Sequence, residues 1–337
     1  MKESNIKVSS WLVGGGFKPS ANKQKRLLRL LLLLFMVGWT FGCEEDLTLE
    51  LPAGEAKIVV QGHIQQDASP FVMLARSVPI LAPASPEVFL NSLVRGARVS
   101  VTVEGRTYPL REVPLTQIPP DQLQLLAELY SLPTGTLPNQ GPDLPFYLYT
   151  TSDLKGETGK LYRLRVEHEG ETLTALTSIP HLNPLDSLWF RPHPDPKMDT
   201  LVTLWYRYSD PDTLGNSVRY MTKRNQEPFY PGYITSVFND EFANGKPFID
   251  FPLERGHPKS AILKEDTYSF FRKGDTVTVR WAALDLPHYQ FWFSLEADYN
   301  SNGNPFGSPI KVRSNVKGGL GIWGGYGTTY HTIVAPK

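Results

Sequence analysis

The 337 residues carry 34 Lys+Arg against 34 Asp+Glu, so a formal charge of zero points neither to a nucleic-acid partner nor to an acidic disordered chain. A single cysteine excludes a disulfide framework and a thiolate metal site, and leaves apolar burial to hold the fold. With 29 Pro, 27 Gly and 12% aromatics, the composition suits short strands joined by many turns rather than a helical bundle.

The first readable element is a basic flank, Lys23, Lys25, Arg26 and Arg29, followed by the apolar run Leu30 to Leu34, Phe35, Met36 and Val37. Gly38, Thr40 and Gly42 then supply small residues before Cys43. That is the layout of a secretory signal, too short and wrongly flanked for a membrane span, and residues 1–42 are expected to be a signal peptide. A cysteine at the cut site resembles the acylation point of a bacterial lipoprotein, which gives Cys43 the role of lipidation site, carrying diacylglyceryl and palmitate. Thr40 stands where the usual lipobox prefers Leu, and Phe41 is bulkier than the common Ser or Ala. Looser lipoboxes of this kind resemble those of the Bacteroidetes. In that group an acidic triplet after the cysteine, here Glu44, Glu45 and Asp46, resembles a signal for display on the outer face of the outer membrane. The plainer reading of the triplet is a solvated linker.

Ala56 to Ile64 reads as a first strand, β-branched in its middle and broken at Gly62, and Pro70 to Val78 as a second extended run. Ala97 to Val103 alternates at period two, with Val99, Val101 and Val103 on one face, and Thr107 to Leu110 returns after the Glu104-Gly105-Arg106 turn. Asp121 to Tyr130, preceded by Pro119-Pro120, is a short helix inside a Pro- and Gly-rich excursion over residues 111–145, read as a long surface insertion. Tyr147 to Thr150, Leu161 to Val166 and Thr172 to Thr177 resume the strands, the last two joined by a Glu169-Gly170-Glu171 turn. About seven short strands with turns between them fit an immunoglobulin-like sandwich.

The Pro-punctuated stretch Ile179 to Pro184 is the expected domain joint, dividing residues 43–182 from residues 183–337. Strands begin again at Leu185 to Phe190 and Asp199 to Tyr208, then Ser217 to Thr222 and Asp275 to Leu284. Pro287 opens a helix over residues 287–299 whose aromatics fall on most sides, as suits a helix sealed against a sheet or the other domain. The chain closes in strand-like pieces around the Gly-rich tract Lys317 to Gly327. The expected fold is therefore all-β: two immunoglobulin-like β-sandwich domains with a short inserted helix and one C-terminal helix.

Several blocks carry a family resemblance. Phe238 to Lys246, Gly274 to Val279, Tyr289 to Leu295, and Asn304 to Phe306 through Ser314 to Trp323 resemble the DUF4249 family of Bacteroidetes outer-membrane lipoproteins. The resemblance spans nearly the whole mature chain and is most specific at the C-terminal block. It implies an all-β outer-membrane lipoprotein, often encoded beside a TonB-dependent receptor, and it brings no catalytic residue with it.

The residues offer little chemistry of their own. Gly319-Leu320-Gly321-Ile322-Trp323-Gly324 matches G-x-G-x-x-G, but the following residues read as strand and lack the helix and acidic partner of a dinucleotide site. Asp298 to Gly303 matches the first half of an EF-hand loop, yet the twelfth position is Pro309, which has no side-chain oxygen for Ca²⁺. The seven histidines, His168 and His193 among them, show no metal spacing, and the pairs Asp210/Asp212 and Asp240/Glu241 read as loop solvation. Trp205 with Arg207, and Tyr206 with Tyr208, fall on opposite faces of one strand, while Phe229-Tyr230-Pro231-Gly232-Tyr233 sits in a loop that can expose its rings. No catalytic, cofactor or metal residue is assigned. The functional expectation is a lipid-anchored, surface-facing outer-membrane protein, binding or accessory in role, beside a TonB-dependent transporter. The alternative is a carbohydrate- or matrix-binding adhesin using Tyr230 or Tyr233, and a hydrolase comes third.

Overall fold

The computed structural model describes residues 55–79, 85–118, 120–129, 146–181, 183–241, 245–258, 267–301 and 310–337. Cys43, the triplet Glu44, Glu45 and Asp46, and the signal peptide over residues 1–42 lie outside the described residues. Among the described residues no helix is long and apolar enough to cross a membrane.

The first half runs β1 (Ile58–Gln65), β2 (Phe71–Arg76), α1 (Pro86–Ser92), β3 (Arg98–Val103), β4 (Arg106–Pro114), α2 (Pro120–Leu129), β5 (Tyr147–Thr150), β6 (Leu161–His168) and β7 (Glu171–Ser178). The second runs β8 (Ser187–Pro192), β9 (Leu201–Ser209), β10 (Ser217–Arg224), β11 (Tyr230–Pro231), β12 (Val237–Asn239), β13 (Pro247–Leu253), β14 (Phe271–Arg272), β15 (Thr276–Leu284), α3 (Leu286–Ser301) and β16 (Leu320–Val334). The fold is mostly β and its sheets pack as sandwich-like layers. One sheet of twelve strands has the order β11-β10-β15-β16-β1-β2-β5-β4-β3-β6-β7, with β12 beside β10. A second sheet of four strands centres on β9, which pairs with β8, β13 and β14.

The long sheet curls back on itself. Leu173 on its last strand shares a core with Val60 on β1 and Trp323 on β16, together with Val99, Val101 and Leu164. Backbone bonds between Thr174 and Lys317 close the curl at 2.8 and 3.1 Å. The second core lies between the two sheets, where Val277, Val279 and Trp281 meet Val202, Leu204, Tyr206 and Tyr208. The alternation of β9 therefore places Tyr206 and Tyr208 inward, with Trp281 5.5 and 5.2 Å from their ring centroids. Burying each of these large side chains contributes about 1.5–3 kcal/mol.

β16 is the strand the two halves share. Leu320 to Tyr326 pair in parallel with β1, and Gly327 to Val334 pair antiparallel with β15. The joint over residues 179–184 links β7 to β8, and β16 brings the chain back to strands on both sides of it. The sequence suggests separate strand pieces around the glycines, but the structure has one strand of 15 residues. Its glycines are needed for space. A Cβ on Gly321 would sit 2.0 Å from the Val60 carbonyl, on Gly324 2.3 Å from the His288 ring, and on Gly325 2.2 Å from the Ser178 carbonyl.

Three other expectations change. β1 is not broken at Gly62 but runs through it, because Trp323 lies opposite in register and a Cβ there would meet its ring at 2.7 Å. The helix of the 111–145 excursion is no surface feature: Leu125, Leu126, Ala127 and Glu128 are buried. A third helix, α1, is present; Ser85 caps it by accepting from Val88 N at 3.2 Å, and its seven residues are too few to show a 3.6-residue period.

Gly324 has no positive φ, so a side chain is excluded there by packing alone, whereas Gly105 has φ +81° in open space. Gly324→Ala is expected to lower unfolding free energy by about 2–3 kcal/mol, against about 1 kcal/mol for Gly105→Ala. Urea denaturation of both variants checks this, and equal losses would refute the packing constraint at Gly324.

Candidate functional site

The face of β10, β15 and β16 turned away from the second core is roofed by α2 and α3. Leu125 and Leu126 of α2 pack with Ala282, Leu284 and Tyr326, and Tyr289 and Trp292 of α3 lie against the same cluster. Period-two alternation sends Arg219, Arg280 and Lys223 to this face, since it sends Val218, Tyr220, Val279 and Trp281 to the other. The layer under the helices is therefore rich in charge.

α3 meets that layer with its polar residues. His288, Ser294 and Glu296 are buried, while Leu286, Phe293 and Tyr299 are 48, 53 and 52% exposed. This reverses the usual amphipathic helix. Its start is set by Asp285, whose Oδ1 accepts from His288 N at 3.1 Å as an N-cap. Oδ2 accepts from Thr177 Oγ1 at 2.7 Å and Ser178 N at 2.8 Å, so one carboxylate ties the helix to β7. Burial pushes the Asp285 carboxyl up, partly offset by these bonds.

His288 fills the notch over Gly324. Its Nδ1 lies 3.2 Å from the Gly325 carbonyl, and Trp292 Nε1 donates to its Nε2 at 2.9 Å. Those partners fix the neutral tautomer with the proton on Nδ1. Both nitrogens are committed, so the ring has no lone pair for an outside substrate or metal. His63 lies 6.2 Å away, centroid to centroid. Burial lowers His63 to about 3, with Arg219 and Arg280 pushing the same way. Burial likewise holds His288 well below its ordinary range, and the neighbouring His63 adds to that.

Arg219 stacks 3.4 Å over the Trp292 ring and donates from Nε to Ser236 Oγ at 3.2 Å. Ser236 in turn donates its hydroxyl to Glu296 Oε1 and its N–H to Oε2 at 2.7 Å. The cation and the carboxylate are thus joined through a hydroxyl rather than in direct contact. Arg280 is wholly buried; Nη2 donates to Gln65 Oε1 at 2.9 Å, and its Nε and Nη1 have no hydrogen-bond partner among the described residues.

At the margin of this layer, between α2 and the sheet, lies a cavity of about 330 Å³. Glu128 and Gln124 hang from α2; Lys223, Thr278 and Tyr330 rise from β10, β15 and β16; Phe229 forms a side wall. Tyr330 donates its hydroxyl to Glu128 Oε2 at 2.6 Å, and Gln124 Nε2 donates to Oε1 at 3.1 Å. Desolvation raises the Tyr330 phenol. Its ring remains 46% exposed because it lines the cavity, while the hydroxyl is tucked beneath α2.

The residues singled out in the sequence fall largely elsewhere. Tyr230 is in β11 paired with Thr222, Tyr233 lies 5.6 Å from the Tyr268 ring, and Phe229 is buried rather than exposed. Trp205 faces outward beside Trp189, with the Arg191 guanidinium 4.0 Å over its ring. Asp298 to Ser301 are the last turn of α3, not a loop, and Gly303 and Pro309 lie outside the described residues. The Gly319–Gly324 match leads into strand. Asp240 accepts from the N–H groups of Gly215 and Asn216, as a loop-capping residue does. His193 accepts from Asp195 N at 2.9 Å within its own Pro-rich turn. Among the described residues no group of three or more His, Cys, Asp and Glu is placed to hold a metal. No local pattern marks the His63–His288 pair, which lie 225 positions apart in the chain (288 − 63) and meet only because β1 and β16 are neighbours.

A family model described as "Domain of unknown function (DUF4249)" matches residues 44–332. No curated protein matches the chain.

Both histidines are neutral in the fold but take a proton when unfolded near their ordinary value of 6.5. Their contribution is fully present above that pH and is lost as pH falls toward the depressed native values. Stability should decline between about pH 6.5 and pH 5 with a slope approaching about 1.4 kcal/mol per pH unit for each histidine. Asp285 works in the opposite sense over the more acidic carboxylate range. Guanidinium unfolding across this window tests the slope, and the double variant His63→Gln, His288→Gln should flatten it. An unchanged slope in a folded double variant rules the assignment out.

Proposed function

The chain belongs to the DUF4249 family, and from that premise we propose that it is a lipid-anchored outer-membrane protein that faces the cell surface and serves as a binding or accessory component of a TonB-dependent transporter. The observation that carries the reading is the place where the match starts. The family region begins at residue 44, immediately after Cys43, so the basic flank, the apolar run and the cysteine stand outside it, as a processed leader and its acylation point would. Glu44, Glu45 and Asp46 then act as the export signal.

The work is non-catalytic in this reading. The buried histidine and carboxylates of the helix-covered face have their atoms engaged in holding α3, which leaves recognition to exposed loops and to the cavity under α2. The second reading, a carbohydrate- or matrix-binding adhesin, draws on the half-buried Tyr233–Tyr268 pair and the Trp189–Trp205 row. Glycan-array binding lost in Tyr233→Ala would favour it over the first.

Cys43→Ala is expected to abolish palmitate incorporation and to move the protein from the membrane to the soluble fraction. Replacement of Glu44, Glu45 and Asp46 by Ala should protect it from protease added to intact cells. Tagged protein from detergent-solubilised membranes should bring down a TonB-dependent receptor. Unlabelled wild-type protein would defeat the anchor, and an abundant bait without receptor would defeat the partnership.

A further inference from the structure

The cavity beneath α2 has a definite charge pattern. Lys223 and Thr278 stand opposite each other in register on β10 and β15, and Arg280 and Tyr330 stand opposite each other one row away on β15 and β16. Glu128 is the acidic group of the lining, and it already accepts from Tyr330 and Gln124. Lys223, by contrast, has no carboxylate partner among the described residues; its ammonium lies 5.8 Å from the Phe229 ring centroid. Arg280, behind Tyr330, forms no ion pair among them either. Arg280 is wholly buried and does not line the cavity, so the lining sets one cation, Lys223, against one carboxylate that is already engaged.

Its shape limits the occupant. A volume of about 330 Å³ is at the small end of ligand sites, too little for an oligosaccharide or a folded peptide. Phe229 and Tyr330 meet edge to face at 5.9 Å and give one apolar wall, while Thr278 and Gln124 add polar side chains to the lining. A dianion such as phosphate would face Glu128 with a single lysine to answer it, so the arrangement favours one negative charge. We propose that this cavity binds a small organic monocarboxylate, its carboxylate on Lys223 and its flat apolar body against Phe229 and Tyr330.

Calorimetric titration of the purified full-length protein with phenylacetate and cinnamate tests this, with phenylacetamide and phenethylammonium as uncharged and cationic counterparts. At least one acid should bind with Kd below about 1 mM, and about tenfold or more tighter than its amide or the amine. Lys223→Met and the gentler Lys223→Gln should each weaken the acid about tenfold, Lys223→Arg should retain most of the binding, and thermal midpoints should stay close to wild type because the residue is half-buried. Failure of both acids to bind at about 5 mM, equal binding of the amine, or full affinity in the folded Lys223→Gln variant would each overturn the proposal. None of these outcomes depends on the lipid anchor or the transporter.

Discussion

The tertiary structure depends on one steric allowance: β16 passes within touching distance of three other chain segments because it lacks side chains where they cross. Gly321 lies against the Val60 carbonyl, Gly325 against Ser178, and Gly324 beneath His288. A Cβ at any of these points would overlap backbone or a buried ring, and a packed interior does not yield by that much. With the glycines in place, the strand pairs with β1 in its first half and β15 in its second. The same residues that mimic a nucleotide-binding fingerprint are therefore the seam of the molecule.

The seam sets the electrostatics of the helix-covered face. His288 reaches Gly324 only if α3 presents its polar side to the sheet, and Asp285, Ser294 and Glu296 follow it inward. Arginines on β10 and β15 become buried beneath it, and the protein meets the resulting desolvation with π faces, hydroxyl relays and neutral histidines rather than direct ion pairs. The apolar residues displaced from the buried side, Leu286, Phe293 and Tyr299, are turned to the exterior. Lys223 belongs to the same strand face as the buried arginines but lies toward its open margin, where the roof changes from α3 to α2 and a cavity remains.

Much of the strand architecture was legible from local pattern. Val99, Val101 and Val103 announce β3, Glu169-Gly170 announces the β6–β7 turn, and Tyr206 and Tyr208 separate from Trp205 as period two requires. The helices were less so. α1 is too short for a period, and α2 sits in a segment whose Pro and Gly content reads as surface although its leucines are core. Nothing local distinguishes the buried Arg280 from the half-buried Lys223 one alternation away in the neighbouring strand.

By itself, the amino-acid sequence determined the mostly β class and the position and facing of most long strands, because hydrophobic alternation and turn residues act over a few neighbours. It also carried the family likeness. The tertiary structure alone decided that Gly62 continues a strand, that the terminal glycines form one strand serving both halves, that His63 meets His288, and that an insertion helix roofs a cavity above Lys223. Those outcomes rest on contacts between residues tens to hundreds of positions apart. The pattern along the chain specifies which face of each strand is buried; what buries it is settled only when the sheets close.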